Sequence, residues 1–138
     1  KEHIDFTTNM YHNVENTTNY VLVDGIMKDE STSVYRGLIN IPKQGQKTNS
    51  YLENHILKLG EETLANSIPS LKIEANDVKA SHGATVGQID EEHLFYLMAR
   101  GLSRQEAEKL IVEGFFEPVI SKIPSEELRE KIRELVRK

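Results

Sequence analysis

The chain has no cysteine in its 138 residues. Structural disulfides and thiolate metal sites are therefore excluded. It has no tryptophan and no excess of basic charge: the net charge is −5. Residues 1–89 carry 8 basic and 11 acidic side chains, and residues 90–138 carry 9 and 11. Neither part has the footprint of a phosphate-backbone binder, so nucleic acid is not an expected partner. The longest apolar runs are a few residues, too short for a spanning helix, so no membrane partner is expected either. Residues Lys1 to Phe6 lack a signal-peptide pattern. They include no initiator Met and read as the start of a strand. The expectation is a C-terminal piece of a longer cytoplasmic protein. The apolar fraction, 38%, permits one core, with part of its apolar surface left for a partner to complete.

What is present falls into two styles. Up to residue 89, β-branched apolar segments recur: Tyr20 to Val23, Val34 to Ile41, Tyr51 to Leu59 and Leu71 to Ala75. The last has period-two alternation, placing Leu71, Ile73 and Ala75 on one face. Between them lie turn formers: Asp24-Gly25, Lys28 to Ser31, Pro42 to Gln46 and Asn66-Ser67. Strand centres near Leu22, Leu38, Ile56 and Ile73 are spaced roughly 16 to 18 residues apart, as for short strands joined by loops or wound as coils. Internal self-similarity is poor. By pattern alone, a sandwich and a β-solenoid fit equally well.

From residue 90 the pattern is helical. Asp90 caps a first helix with Glu91 and Glu92 in its first turn, and Ile89 and Leu94 hold hydrophobic-staple positions. Leu94, Leu97 and Met98 form its stripe. Gly101 suits the left-handed residue that ends it, folding Leu102 back on Leu97. Ser103 and Glu106 make a capping box for a second helix, whose buried face is Ala107, Leu110, Ile111 and Phe115. Pro118 is expected to interrupt it, leaving Val119, Ile120 and Ile123 in a short turn. Ser125 caps a third helix with stripe Leu128, Ile132, Leu135 and Val136 and with Arg137 and Lys138 late.

Chemistry-bearing residues are sparse. None of the histidines His3, His12, His55, His82 and His93 has the i,i+4 helical pairing of a zincin motif. His82, before the expected turns at Gly83 and Gly87, is a metal-ligand or interface candidate; its bland alternative is a loop histidine bonded to backbone. The two glycines do not make a phosphate loop, because no Lys-Ser/Thr follows. The pairs Glu61-Glu62, Glu91-Glu92 and Glu126-Glu127 are adjacent, so they do not face each other as an acid/base dyad would. Asp5, Asp24, Asp29 and Asp77 are scattered through turns, unlike the converging carboxylates of a β-solenoid carbohydrate-active enzyme. Asn16-Thr17-Thr18 matches a glycosylation sequon without a secretory context. Phe95, Tyr96, Phe115 and Phe116 are core side chains or anchors of an interface.

Several segments resemble the C-terminal portion of the SufB/SufD family of iron–sulfur cluster assembly scaffolds. They are His3-Ile-Asp5, Asn16-Thr-Thr18, Tyr35-Arg-Gly-Leu38, Ser81-His-Gly-Ala-Thr-Val-Gly87, Ile89 through Gly101, and Ile111 through Pro118. The resemblance implies a mainly β fold with an α tail. Residues 1–89 would be the last coils of a right-handed β-helix (β-solenoid), and 90–138 a small helical domain of about three short helices. It also implies a non-catalytic scaffold that dimerises through the β region, with itself or with a SufB/SufD paralogue. A SufC-like ABC ATPase would dock on the helical tail through Phe95, Leu102, Glu106, Leu110, Phe115 and Phe116. No stably bound cofactor is expected, only a transient iron–sulfur cluster at an interface containing His82, Thr63, Ala80 and Gly83. His82 falls on the family histidine. Ala80 falls where SufD-type proteins tend to carry cysteine, and Thr63 near the SufB-type interface cysteine. Gly83 replaces a SufB-type glutamate. With no thiolate present, His82 is the one metal candidate of the set.

Overall fold

The computed structural model describes residues 2–137. The chain divides after Gln88 into two compact units. The first has six strands: β1 (His3–Tyr11), β2 (Thr18–Met27), β3 (Thr32–Ile41), β4 (Asn49–Lys58), β5 (Leu64–Ile73) and β6 (Lys79–Gln88). They form two three-stranded sheets, ordered β1-β3-β5 and β2-β4-β6, and every pairing is parallel. Successive strands alternate between the sheets, so two strands make one coil. This is the solenoid arrangement, not a sandwich of antiparallel hairpins.

Each coil places its side chains over those of the coil before it. Val21 pairs with Leu52 and then His82; Tyr35 pairs with Phe6 and Ser67. Alternation sends Tyr35, Gly37, Ile39 and Ile41 of β3 inward, to meet Ser50, Leu52, Asn54 and Ile56 of β4. Tyr35, Ile39, Ile41, Leu52 and Ala75 form the core cluster, with Met10, Val21, Val23, Val78 and Ala80 packed on it. The corners are tight. Asn16, Asp29 and Lys47 each take a left-handed conformation at one of them, with φ between 55° and 59°. A Cβ on Gly45 would lie 2.5 Å from the His12 carbonyl oxygen, so that corner needs glycine.

Several expected turns are strand. Asp24-Gly25 lies within β2, Asn66-Ser67 within β5, and Gly83 and Gly87 within β6. Stacking on a neighbouring coil supplies the backbone partners these weak strand formers could not secure locally. β5 also contains Pro69, tolerated because β5 is an edge strand. Of the face assigned to Leu71, Ile73 and Ala75, only Ala75 is buried. Leu71 and Ile73 point inward by register but lie on the last coil of their sheet, so nothing further stacks on them.

The second unit has three helices: α1 (Glu91–Ala99), α2 (Arg104–Ile120) and α3 (Glu126–Val136). The capping groups act as the sequence predicts. Asp90 accepts from the Glu92 and His93 amides, the Ser103–Glu106 capping box is complete, and Ser125 accepts from the Leu128 amide. Gly101 is left-handed at φ 100°, and the Leu102 amide reaches back to the Leu97 carbonyl at 3.4 Å. The buried faces are shifted. Leu94, Ala107, Val112 and Ile120 are buried, whereas Met98 and Leu110 are exposed and Leu97, Ile111 and Phe115 half-buried. Pro118 does not break α2. It falls in the last turn, where its missing N–H and restricted neighbour disturb little remaining helix. Arg137 follows α3 as its C-cap, and Lys138 lies outside the described residues.

Candidate functional site

The expected site residues of the solenoid do not converge on one point. Ala80 and His82 share the inward-facing row of β6, continuing the rows of Ser50 and Leu52. Ala80 is half-buried against the core cluster, while the His82 side chain is exposed, because β6 is the last strand of its sheet. Gly83, next in sequence, faces the opposite side. It lies over Glu53, and a Cβ there would sit 3.4 Å from the Tyr51 hydroxyl. Thr63 is fully buried in the turn before β5, where its hydroxyl donates to the Gly60 carbonyl at 2.8 Å. Among the described residues, no three His, Asp or Glu side chains are grouped to hold a metal ion.

Three groups of contacts were not foreseen from the sequence. On the outer face of the β2-β4-β6 sheet, Tyr20 and Tyr51 stack at 5.8 Å, and both hydroxyls donate to the Glu53 carboxylate. That carboxylate favours the protonated phenol. It pushes the Tyr20 pKa up to about 12 and raises that of Tyr51 as well. One row along, His55 Nδ1 lies 2.9 Å from the Asp24 carboxylate, whose side chain is only 4% exposed. Inside, buried His12 contacts the Thr17 hydroxyl at 2.7 Å and both Asn19 and Ser50 at 3.2 Å. The sequence did hold a signal for these contacts: Asp24–His55, Asn19–Ser50 and Thr17–Thr48 each join residues 31 apart, the offset of one coil. Asp5, bonded to Arg36, and Asp24 lie on the outer faces of different sheets, so they do not form a carboxylate pair. A cavity of about 310 Å³ between the sheets is mostly apolar; among its lining residues are Phe6, Met27, Tyr35, Ile56, Ser33 and Asn54.

In the helical unit the expected docking residues divide by environment. Phe95 is 74% exposed and Leu110 is also exposed. Leu102, Phe115 and Phe116 are half-buried, with the two phenylalanine rings edge-to-face at 5.5 Å. Glu106 is engaged by Ser103, whose hydroxyl and amide hydrogen bonds hold its carboxyl below the usual range. His93, Tyr96, Leu97, Leu110 and Ile111 line a shallow apolar hollow between α1 and α2. Arg104 joins α2 to α1 by bonding Glu91 at 2.8 Å, and it also bonds Glu108 of its own helix at 2.9 Å.

A parallel two-sheet solenoid followed by a capped helical unit defines the class. The family model for the SUF system FeS cluster assembly SufBD core domain matches residues 1–115, and the chain belongs to that family. It is 36% identical over 128 residues to the iron–sulfur cluster assembly protein SufD of Bacillus subtilis, covering 93% of this chain and 29% of that protein. The Escherichia coli SufD is 35% identical over 93% of this chain and 30% of its own length. A SufBD family protein of Synechocystis is 31% identical over 91% of this chain and 26% of its own length. The chain thus spans less than a third of the curated relatives it matches.

Proposed function

We propose that this chain works as part of a cytoplasmic SUF-type iron–sulfur assembly scaffold, making and breaking no bonds itself. The observation that carries this reading is the family match, which runs through the solenoid and α1 into α2 and ends at residue 115. In this reading the solenoid pairs with a second SufB/SufD-type subunit, a copy of itself or a paralogue, and the helical unit docks a SufC-like ABC ATPase.

The open edges support pairing. β5 and β6 are the terminal strands of their sheets, and the exposed large apolar side chains Leu64, Ile68, Leu71, Ile73 and Val86 lie on them. Strand pairing across a two-fold axis would cover both the unpaired backbone and this apolar surface. His82, on β6, would then lie at the junction with Ala80 on the same row, while Thr63 would serve only to hold the turn before β5. A nascent cluster passing this junction is cargo. Its thiolate ligands come from elsewhere in the assembly, since this stretch has none. On the helices, Phe95 and Leu110 offer exposed apolar area of the kind that anchors an interface.

Capture by a SufC-type ATPase tests the docking. Phe95→Ala combined with Leu110→Ala should weaken it about tenfold. Undiminished capture would remove the helices from the reading. Ile68→Lys should shift the sedimentation of a dimer toward monomer, and an unchanged profile would remove the β5 edge. Anaerobic iron titration against His82→Ala tests the competing reading as a histidine metal site. Identical isotherms would end that one.

A further inference from the structure

We propose that α3 is an ionic latch: it is docked on α2 by charge rather than by burial, and it releases as salt rises while α2 stays folded. The proposal stands apart from which protein the helical unit docks. None of the eleven residues of α3 is buried: Leu128 and Leu135 are 46% and 61% exposed, and Ile132 and Val136 are half-buried. By contrast α2 buries Ala107, Val112 and Ile120.

The attachment is a match of two charged rows. Arg129, Arg133 and Arg137 recur every fourth residue and so form one stripe along α3 and its C-cap. Glu113 and Glu117 form the corresponding stripe on α2. Arg133 grips Glu117 with two nitrogens, at 2.6 Å and 3.2 Å, and Arg137 Nε lies 3.2 Å from Glu113. Arg129 donates to the Ile123 carbonyl in the connecting turn at 3.2 Å. Glu126 and Glu130, on α3 itself, hold Arg133 from the other side. Burial of apolar surface is not weakened by salt, whereas exposed ion pairs are screened. The Arg137–Glu113 pair, 53% and 33% exposed, is the more open to screening and Arg133–Glu117, 24% and 46% exposed, the less, so docking weakens with salt chiefly through the first. Its release frees the arginine row, the glutamate row and the half-buried Ile132 and Val136 together.

Hydrogen exchange by mass spectrometry on the whole chain, at about 0.01 M and about 1 M salt, tests this. Over that range the screening length falls from about 30 Å to about 3 Å. The amides of α3 should exchange about fivefold faster, relative to those of the α2 interior, at the higher salt. Arg137→Glu and Glu113→Arg should each loosen α3 at low salt, and the double exchange should restore its protection. The α2 amides report whether any variant fails to fold; in that case the wild-type salt comparison decides alone. Protection of α3 that tracks α2 at both salts would overturn the latch, as would a folded double exchange no better protected than the single variants.

Discussion

The two units use different physics. The solenoid places apolar side chains coil over coil, and its ladders leave few backbone groups of the middle coil for water. The helices bury one side chain from α1, three from α2 and none from α3. Much of what holds them is at their ends and along their flanks: capping groups and arginine–glutamate pairs that are exposed at Arg104 and partly buried at Arg133. On the ionic-latch proposal, the solenoid of this chain should resist its ionic surroundings and α3 should respond to them.

The largest separation between the units should come from Leu52→Ala. Leu52 is 1% exposed in the core cluster, and its removal should cost the solenoid about 2–5 kcal/mol in urea denaturation. Exchange in α1 and α2 should be unaffected; a parallel loss there would mean that the units fold as one. Ser103→Ala should cost the helical unit about 1 kcal/mol through the lost cap, read as faster exchange at the start of α2.

Titration should act on the units from opposite ends. The carboxyls of Glu91, Glu106 and Glu117 are held below 4.5 by their hydrogen bonds to Arg104, Ser103 and Arg133 respectively. Their contribution is whole above that value and fades as pH falls through the lower folded values, so acid should loosen the helices. Tyr20 is raised from 10.0 to about 12, so its contribution is whole below 10 and fades as pH climbs toward 12, loosening the solenoid. Circular dichroism at both extremes, separated into strand and helix signals, checks the assignment; strand loss preceding helix loss in acid would reverse it. The smallest effect should follow Arg36→Ala. Its pair with Asp5 is about half-exposed at both partners, so the solenoid should lose less than about 1 kcal/mol in the same urea experiment.

The helical signals were local, and they were legible: Asp90, Ser103, Gly101 and Ser125 each act within a few residues of themselves. The buried face of α2 was placed less well, because Leu110 and Val112 differ in what covers them rather than in polarity. In the solenoid, β2, β3 and β4 could be found from their apolar segments, whereas only the end of β5, Leu71 to Ile73, fell within one. β6 could not, since Ala80, His82, Gly83, Ala84 and Gly87 acquire strand conformation only by lying along β4. The Asp24–His55 and Tyr20–Glu53 contacts were hidden for a related reason. Adjacent coils match complementary chemistry at an offset of one turn, and a search for repeated identities passes over them. The choice between sandwich and solenoid was equally invisible to period-two patterning, which both satisfy.

The bends at Asn16, Asp29 and Lys47 have a consequence for how such a protein can change. His3 lies over Thr32, 29 positions later, yet Thr32 lies over Leu64 after a longer excursion. The slack is absorbed between strands, so the stacked columns stay aligned despite unequal lengths. Variation in length should therefore gather at the bends, whereas loss of Ser50 from β4 would shift the residues after it by one, turning Leu52 outward and Tyr51 into the interior.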